Sequence, residues 1–185
     1  PDNGFEATCS IGGSFQPDNV EEFYLTPWDL AYGRLIHFDH DFIGRDALVA
    51  MAENNHREKV TLVWEKEDVL KIFSGMMDEF PAPKLMEIPA GHYAAHPYDH
   101  VMLDGEHVGL STYPVYSANE RAWISLAMLR SDLSREGTNV SILWGEKKGG
   151  SHKPHVEKHL QISIKARVHP WPIPQASREQ YRAQR

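Results

Sequence analysis

The feature that most constrains the fold is a strict alternation of apolar and polar residues over residues 160–168. Successive side chains of a β-strand point to opposite faces, so this pattern predicts a strand with one buried face. A second strong signal is the dipeptide Asp104-Gly105, which separates two strand-like stretches at residues 99–103 and 108–116. Asp-Gly favours the tight turn of a β-hairpin. The second half of the chain is therefore predicted to be mainly antiparallel β.

Further elements complete this prediction. Residues 60–64 and 140–144 are apolar runs that end in tryptophan, a composition favoured in strands. Residues 122–129 fit either a strand or a short helix. Apolar spacing over residues 67–77 predicts one helix. Its expected buried stripe consists of Val69, Leu70, Phe73, Met76 and Met77. Residues 56–175 are therefore expected to form a mainly β barrel of roughly six antiparallel strands, with one helix inserted.

The first 55 residues have a different pattern and are predicted to be an α+β lead-in. Turn-forming residues punctuate residues 1–27, which indicates a loop. A short strand fits residues 35–38. Asp41 is a candidate cap for a helix over residues 44–53. The expected apolar face of that helix holds Leu48, Met51 and Ala52. A break in composition after Asn55 places a domain boundary there, and residues 176–185 form a polar tail.

Composition excludes several classes of protein. The formal net charge of −7 argues against a nucleic-acid partner, which selects for a basic surface. Cys9 is the single cysteine, so no internal disulfide can form and a reducing, cytoplasmic location is favoured. No apolar run approaches the ~20 residues of a membrane span, so no membrane partner is expected. The chain starts at Pro1 rather than methionine, so we treat it as a possible fragment.

Two motifs suggest ligand sites, but each has a simpler interpretation. The first motif comprises two histidine sets whose helical spacing is interrupted by Pro97 and Pro154. These sets are His92, His96 and His100, and His152, His155 and His159. Without a clear carboxylate or cysteine ligand, no metal site is predicted. Residues 10–14 resemble a phosphate-binding loop but lack its lysine and spacing, so a flexible loop is expected.

Three segments carry a resemblance to a known family. Residues 24–34 read Tyr-Leu-Thr-Pro-Trp-Asp-Leu-Ala-Tyr-Gly-Arg and are followed by Asp-Phe-Ile-Gly-Arg-Asp-Ala-Leu at residues 41–48. The hairpin at residues 104–117 and the Gly-Thr-Asn-Val stretch at residues 137–140 follow in the same order. Together these segments resemble the C-terminal portion of the glycine cleavage T-protein (aminomethyltransferase) family. Within that family, the sequences of these segments are most similar to the bacterial tetrahydrofolate-dependent aromatic O-demethylases, which act on vanillate or syringate.

The resemblance implies a function and a set of candidate residues. It implies methyl transfer from a methoxy-aromatic acid to tetrahydrofolate, with residues 1–55 as the end of a folate-binding domain. Catalytic residues are expected upstream of Pro1, in further domains of the same polypeptide, so the isolated chain is expected to be inactive. Binding candidates are Arg34, Tyr32, Trp28 and Tyr116.

Each candidate has a structural alternative. Arg34 stands where true T-proteins commonly have tryptophan, which favours a changed substrate over aminomethyl transfer. Its guanidinium suits a carboxylate ligand, or a surface ion pair with Asp39 or Asp41. The three aromatic candidates fit either ligand contact or packing. The alternatives for the whole protein are a glycine-cleavage aminomethyltransferase and a non-catalytic barrel that binds a partner chain.

Overall fold

The computed structural model describes residues 11–91, 96–150, 156–175 and 177–179 of the chain. Its strands and α-helices follow in chain order: β1 (Ile11–Gly12), α1 (Arg45–Ala52), β2 (Arg57–Trp64), α2 (Lys66–Gly75), β3 (His96–Leu103), β4 (Glu106–Ser117), β5 (Ala122–Arg130), β6 (Asn139–Trp144) and β7 (Ile162–His169). Short 3-10 turns occur at Val20–Phe23, Gly33–Leu35, Ser131–Leu133 and Lys147–Gly150.

Strands β2 to β7 form a closed antiparallel barrel. Their order is β3-β4-β5-β2-β7-β6, and β6 pairs back with β3. Closure satisfies the backbone groups that an open sheet would leave at its edges. The short strand β1 is an addition, and it runs parallel to the start of β3, with Ile11 opposite His96. The predicted six-stranded antiparallel barrel is confirmed, and residues 122–129 belong to a strand.

The alternation of apolar and polar residues over residues 160–168 produces β7. Ile164, Ala166 and Val168 are buried, whereas the intervening polar residues are exposed. Leu160 departs from the prediction, because it precedes the strand and is 47% exposed. The buried face of β7 joins a core that includes the fully buried Leu62 and Ile142. Burial of each large aliphatic side chain contributes about 1.5–3 kcal/mol, so the barrel interior is the main source of stability.

Helix α2 packs one face on this core, but the face differs from the predicted stripe. Val69 and Ile72 are buried, and Phe73 and Met76 pack against the core cluster. Leu70 and Met77 are exposed, and Met77 lies beyond the helix end at Gly75. The prediction was wrong for these two residues because it extended the helix past its end and passed over Ile72.

The lead-in folds differently from the prediction in two places. Helix α1 has the predicted position, and its apolar face with Leu48, Met51 and Ala52 contains no buried residue. The cap position is held by Gly44 with φ 90°, and no side chain caps the helix, so the role given to Asp41 is wrong. The predicted strand at residues 35–38 is also wrong. There, the amides of Leu35 and Ile36 close a tight turn onto the carbonyls of Tyr32 and Gly33.

The expectation that residues 1–27 form a loop needs a partial correction. Residues 11–15 lie against the barrel, and Ser14 and Phe15 are buried there. Residues 1–10 lie outside the described residues, and so do residue 176 and residues 180–185 of the predicted tail. Strand β2 begins at Arg57, just after the predicted domain boundary, which stays a prediction.

Candidate functional site

Trp28 packs on the start of the barrel. Its ring stacks on the His56 imidazole, with centroids 4.8 Å apart and planes 11° apart. Gly33 lies against the same ring, and a Cβ there would come 2.4 Å from Trp28 Cδ1, so the close contact requires glycine. The Asp29 carboxylate accepts hydrogen bonds from the amides of Thr26 and Arg57, each at 2.9 Å. These contacts fix the turn that carries the predicted site residues against β2.

Tyr32 is half exposed and lies beside a barrel lysine. The Lys59 Nζ is 5.9 Å from the Tyr32 ring centroid and 3.8 Å from the Trp171 ring centroid. Burial lowers the pKa of the Lys59 ammonium. An ammonium over aromatic faces is attracted by the ring quadrupole. Lys59 therefore links the lead-in to the segment that follows β7.

Arg34 is exposed on the 3-10 turn Gly33–Leu35. Among the described residues it forms no ion pair with Asp39 or Asp41, and the Asp39 carboxylate instead contacts His40 Nδ1 at 2.9 Å. The alternative interpretation, a surface ion pair of Arg34 with Asp39 or Asp41, is therefore not seen among the described residues. The guanidinium is available to a ligand, and its role as a carboxylate-binding residue stays a prediction.

Tyr116 lies in another part of the molecule. It is near the end of β4, opposite Trp123 of β5, whereas Lys59 is opposite Met128 of the same strand. Trp123 and Met128 are five residues apart along β5, which corresponds to roughly 17 Å. The structure therefore places Trp28, Tyr32 and Arg34 on one turn and does not bring Tyr116 to them.

A cleft runs between the lead-in and the mouth of the barrel. It consists of two adjoining cavities of about 490 and 520 Å³, which share Asn55, His56, Arg57 and His107. One half extends toward Arg130, Ser131 and Asp132, and the other toward Glu21, Glu22 and Tyr24. Cavities of this size suit small molecules. Sequence patterns did not predict this cleft, because its walls come from five separate segments.

His107, which lines the cleft, contacts a second histidine on the neighbouring strand. The Nδ1 atoms of His100 and His107 are 2.8 Å apart, and the Phe15 ring contacts both imidazoles. A hydrogen bond between two such nitrogens requires that one donates and the other accepts. Burial, then His100, then Arg57 lower the pKa of His107 to about 4. His107 is therefore neutral at physiological pH.

A buried charged cluster joins segments that are distant in the sequence. The Lys84 ammonium donates to Glu146 Oε1 at 2.7 Å, and both side chains are almost fully buried. His159 Nε2 lies 3.1 Å from the second Glu146 oxygen. Burial opposes ionisation of Glu146, but the Lys84 charge and the Gly13 amide outweigh it and lower the pKa of the carboxyl. The fourth member is Asp99 of β3, which is also buried.

This cluster holds the segment at residues 11–15. The Gly13 amide donates to Glu146 Oε1 at 2.9 Å, and the Ser14 amide donates to Asp99 Oδ1 at 2.9 Å. Ser14 Oγ in turn accepts the His100 amide hydrogen at 2.8 Å. The described part of the predicted flexible loop is therefore tightly bound, and carboxylates of the protein already occupy its Gly13 and Ser14 amides. Sequence reasoning missed the cluster because Lys84 lies in an irregular, proline-rich stretch.

The structure describes three of the six histidines in the two predicted sets, His96, His100 and His159. His92, His152 and His155 lie outside the described residues. In the described part of the chain, no group of three or more His, Cys, Asp or Glu side chains is arranged to hold a metal ion. The His159 Nδ1 lies 2.8 Å from the Glu157 carbonyl oxygen, and its Nε2 accepts the Glu146 amide hydrogen at 2.9 Å. His159 is therefore part of the buried cluster.

No helix within the described ranges has the length and apolar character needed to cross a membrane.

Comparison with known proteins agrees with the sequence pattern. No protein-family model matches the chain. The chain is 47% identical to "Syringate O-demethylase" of Sphingobium sp. (strain NBRC 103272 / SYK-6) over 180 residues, which is 97% of this chain and 39% of that protein. It is 36% identical to "Sesamin methylene transferase" of Sinomonas sp. (strain No.22) over 143 residues, 72% of this chain and 31% of that protein. The chain thus spans about two fifths or less of the length of these relatives. Its predicted kinship with the aromatic O-demethylases is confirmed, and it belongs to the family that contains this syringate O-demethylase.

Proposed function

We propose that the protein containing this chain removes a methyl group from a methoxy-aromatic acid and transfers it to tetrahydrofolate. The observation that carries the proposal is the 47% identity to syringate O-demethylase over 97% of the chain. The chain contributes the barrel and the turn at residues 24–34, which form one wall of the binding site. The catalytic residues lie in the part of the polypeptide that corresponds to the rest of the relative's length. The single cysteine favours a reducing, cytoplasmic location for this chemistry.

The reaction sets requirements for the site. Cleavage of an aryl methyl ether needs an acceptor for the methyl group and a proton for the leaving oxygen. Bound tetrahydrofolate supplies N5 as the acceptor. Both reactants must be held in one orientation, and positioning of this kind contributes several kcal/mol. The described residues fit the acidic end of either reactant, since Arg34 is exposed and has neither Asp39 nor Asp41 as an ion-pair partner.

The exposed apolar residues of the lead-in support the presence of further domains. Val20, Tyr24, Leu35, Ile43 and Met51 are all exposed, and helix α1 buries none of its residues. An apolar surface of this kind is typical of an interface. We assign it to the rest of the same polypeptide, because the curated relatives extend well beyond the matched region.

A second candidate function is transfer of a methylene group. The 36% identity to sesamin methylene transferase supports it, over a shorter part of the chain. The two functions share an aromatic ether substrate and differ in the carbon unit that is transferred. They are separable by product, because a methyl group and a methylene group yield different one-carbon folates.

The test uses the protein expressed from its native reading frame. It is incubated with tetrahydrofolate and either syringate, vanillate or sesamin, and the folate and phenol products are measured by mass spectrometry. The proposal predicts methyl-tetrahydrofolate and one equivalent of demethylated acid. Methylene-tetrahydrofolate from sesamin supports the second candidate, and the absence of any transferred carbon refutes both.

Kinetics of one variant test the role of Arg34. Replacement of Arg34 with alanine removes a charge-assisted hydrogen-bond donor, so we expect the KM for the aryl acid or the folate to rise about tenfold or more. Arg135→Ala is the matched control, because Arg135 is also exposed but belongs to the β5–β6 connection. Unchanged KM values in Arg34→Ala would contradict the assignment.

A further inference from the structure

The cleft at the barrel mouth contains two arginines that face each other. Arg57 of β2 and Arg130 of β5 are registered partners on adjacent antiparallel strands, and both line the same cavity. Directly opposite residues of such strands project from the same face of the sheet. Two like charges in this position repel each other, and nearby carboxylates can offset the repulsion.

The two arginines differ in how their charges are balanced. Arg130 donates from Nε to Asp132 at 2.7 Å and from Nη1 to Glu106 at 2.9 Å. Within the described ranges, no carboxylate lies within ion-pair distance of the Arg57 guanidinium. The nearby Asp29 carboxylate uses its two oxygens for the amides of Thr26 and Arg57. Arg57 is thus a half-buried cation without an acidic partner in a chain whose formal net charge is −7.

The cavity beside Arg57 has room for a small organic ligand. His56 and His107 line the cavity beside Arg57. The His56 Nε2 is buried and has no hydrogen-bond partner among the described residues, and the His56 ring already stacks on Trp28. The cavity of about 490 Å³ exceeds what one water or ion would need, and it suits a small organic acid.

We propose that this cavity is a carboxylate-binding site in which Arg57 supplies the main charge and Arg130 borders the ligand. The inference rests on the proposed function, which offers two sources of a carboxylate. One source is the aryl acid, and the other is the glutamate end of folate. A guanidinium holds either carboxylate by two parallel hydrogen bonds. The site is distinct from Arg34, which lies on the Gly33–Leu35 turn and does not line this cavity.

The experiment measures binding by calorimetry to the protein expressed from its native reading frame. The probes are vanillate, its neutral analogue vanillamide, and p-aminobenzoyl-glutamate. Arg57→Gln should weaken binding of at least one acidic probe tenfold or more and leave vanillamide unaffected. If Arg57→Gln loses affinity for vanillate, the aryl acid is the ligand. If it loses affinity for p-aminobenzoyl-glutamate, the folate is the ligand. Arg167→Gln is the matched control, since Arg167 is an exposed strand arginine on β7.

Three results would overturn the site: no acidic probe binds the wild type, Arg57→Gln binds all probes normally, or Arg167→Gln causes the same loss. Arg57→Lys keeps the positive charge but not the planar guanidinium that donates two parallel hydrogen bonds. It should therefore lose less affinity than Arg57→Gln. All variants retain the residue 57 amide that donates to Asp29, and their thermal midpoints verify folding. Methyl transfer without Arg57-dependent binding refutes only this inference. Arg57-dependent binding without methyl transfer refutes only the proposed function.

Discussion

Replacement of Asp99 with asparagine should remove a pH dependence of folding stability. Asp99 is buried in β3, and burial raises its pKa from 3.8 to about 6, although the Lys84 charge and the Ser14 amide oppose that rise. Glu146, which His159 contacts, adds to the rise. The folded protein therefore retains a proton on Asp99 at pH values where the unfolded chain has released it.

The sign and size of the effect follow from proton linkage. A raised folded-state pKa contributes stability below about pH 4, and this contribution is lost as the pH rises through about 6. The difference between the two pKa values corresponds to about 3 kcal/mol, at roughly 1.4 kcal/mol for each unit. An asparagine side chain at this position would keep an oxygen that accepts the Ser14 amide hydrogen and would carry no charge. Asp99→Asn should therefore match the wild type near pH 4 and exceed its stability by about 1–3 kcal/mol near pH 8.

Urea unfolding of both proteins at several pH values between 4 and 8 measures this difference. The wild type should lose stability relative to Asp99→Asn between pH 4 and 6, with similar dependence on urea concentration. Asp78→Asn, at an exposed position, is the control for removal of a carboxylate as such. The reasoning is refuted if the two stability curves stay parallel, or if Asp99→Asn is the less stable protein at pH 8.

Two further predictions concern contacts that hold the lead-in and the C-terminal segment to the barrel. Gly13→Ala should destabilise the protein by about 2 kcal/mol or more, because a Cβ at φ +97° would lie 2.2 Å from the Tyr98 carbonyl oxygen. Gly105→Ala has a similar φ of +83° with nothing within 4 Å and should cost only about 1 kcal/mol in chemical denaturation, so equal losses would contradict the clash. Lys59→Met should cost about 1 kcal/mol through loss of the ammonium over Trp171, while Lys59→Arg preserves it. Equal thermal midpoints for the two Lys59 variants would show that the cation contributes nothing.

Local sequence signals determined much of the barrel. The alternation that predicted β7 and the Asp104-Gly105 turn both depend on neighbours along the chain, and both predictions hold. Barrel closure between β3 and β6 could not be predicted in the same way, because it depends on pairing between Val101 and Ile142. The lead-in was the least predictable part, since the turn at residues 32–36 satisfies its amides locally.

The candidate site was predicted only in part. The turn with Trp28, Tyr32 and Arg34 follows from one contiguous motif, and contiguous residues stay together in the fold. The buried cluster is different, because Lys84 and Glu146 are 62 residues apart and have no shared sequence pattern. Nor do local patterns show that Arg57 and Arg130 meet, since strand register decides that contact.

The closing seam of the barrel determines which of its strand ladders should first exchange their amide hydrogens. β3 and β6 are joined at two registered positions, Val101 with Ile142 and Met102 with Ser141, whereas β2 and β5 are registered along Arg57 to Val63. Amides exchange through local openings, and openings are least costly where few contacts must break. Deuterium should therefore enter between β3 and β6 before it enters the β2–β5 ladder. The barrel should thus open first along this seam, beside the segment that Asp99 and Glu146 hold in place.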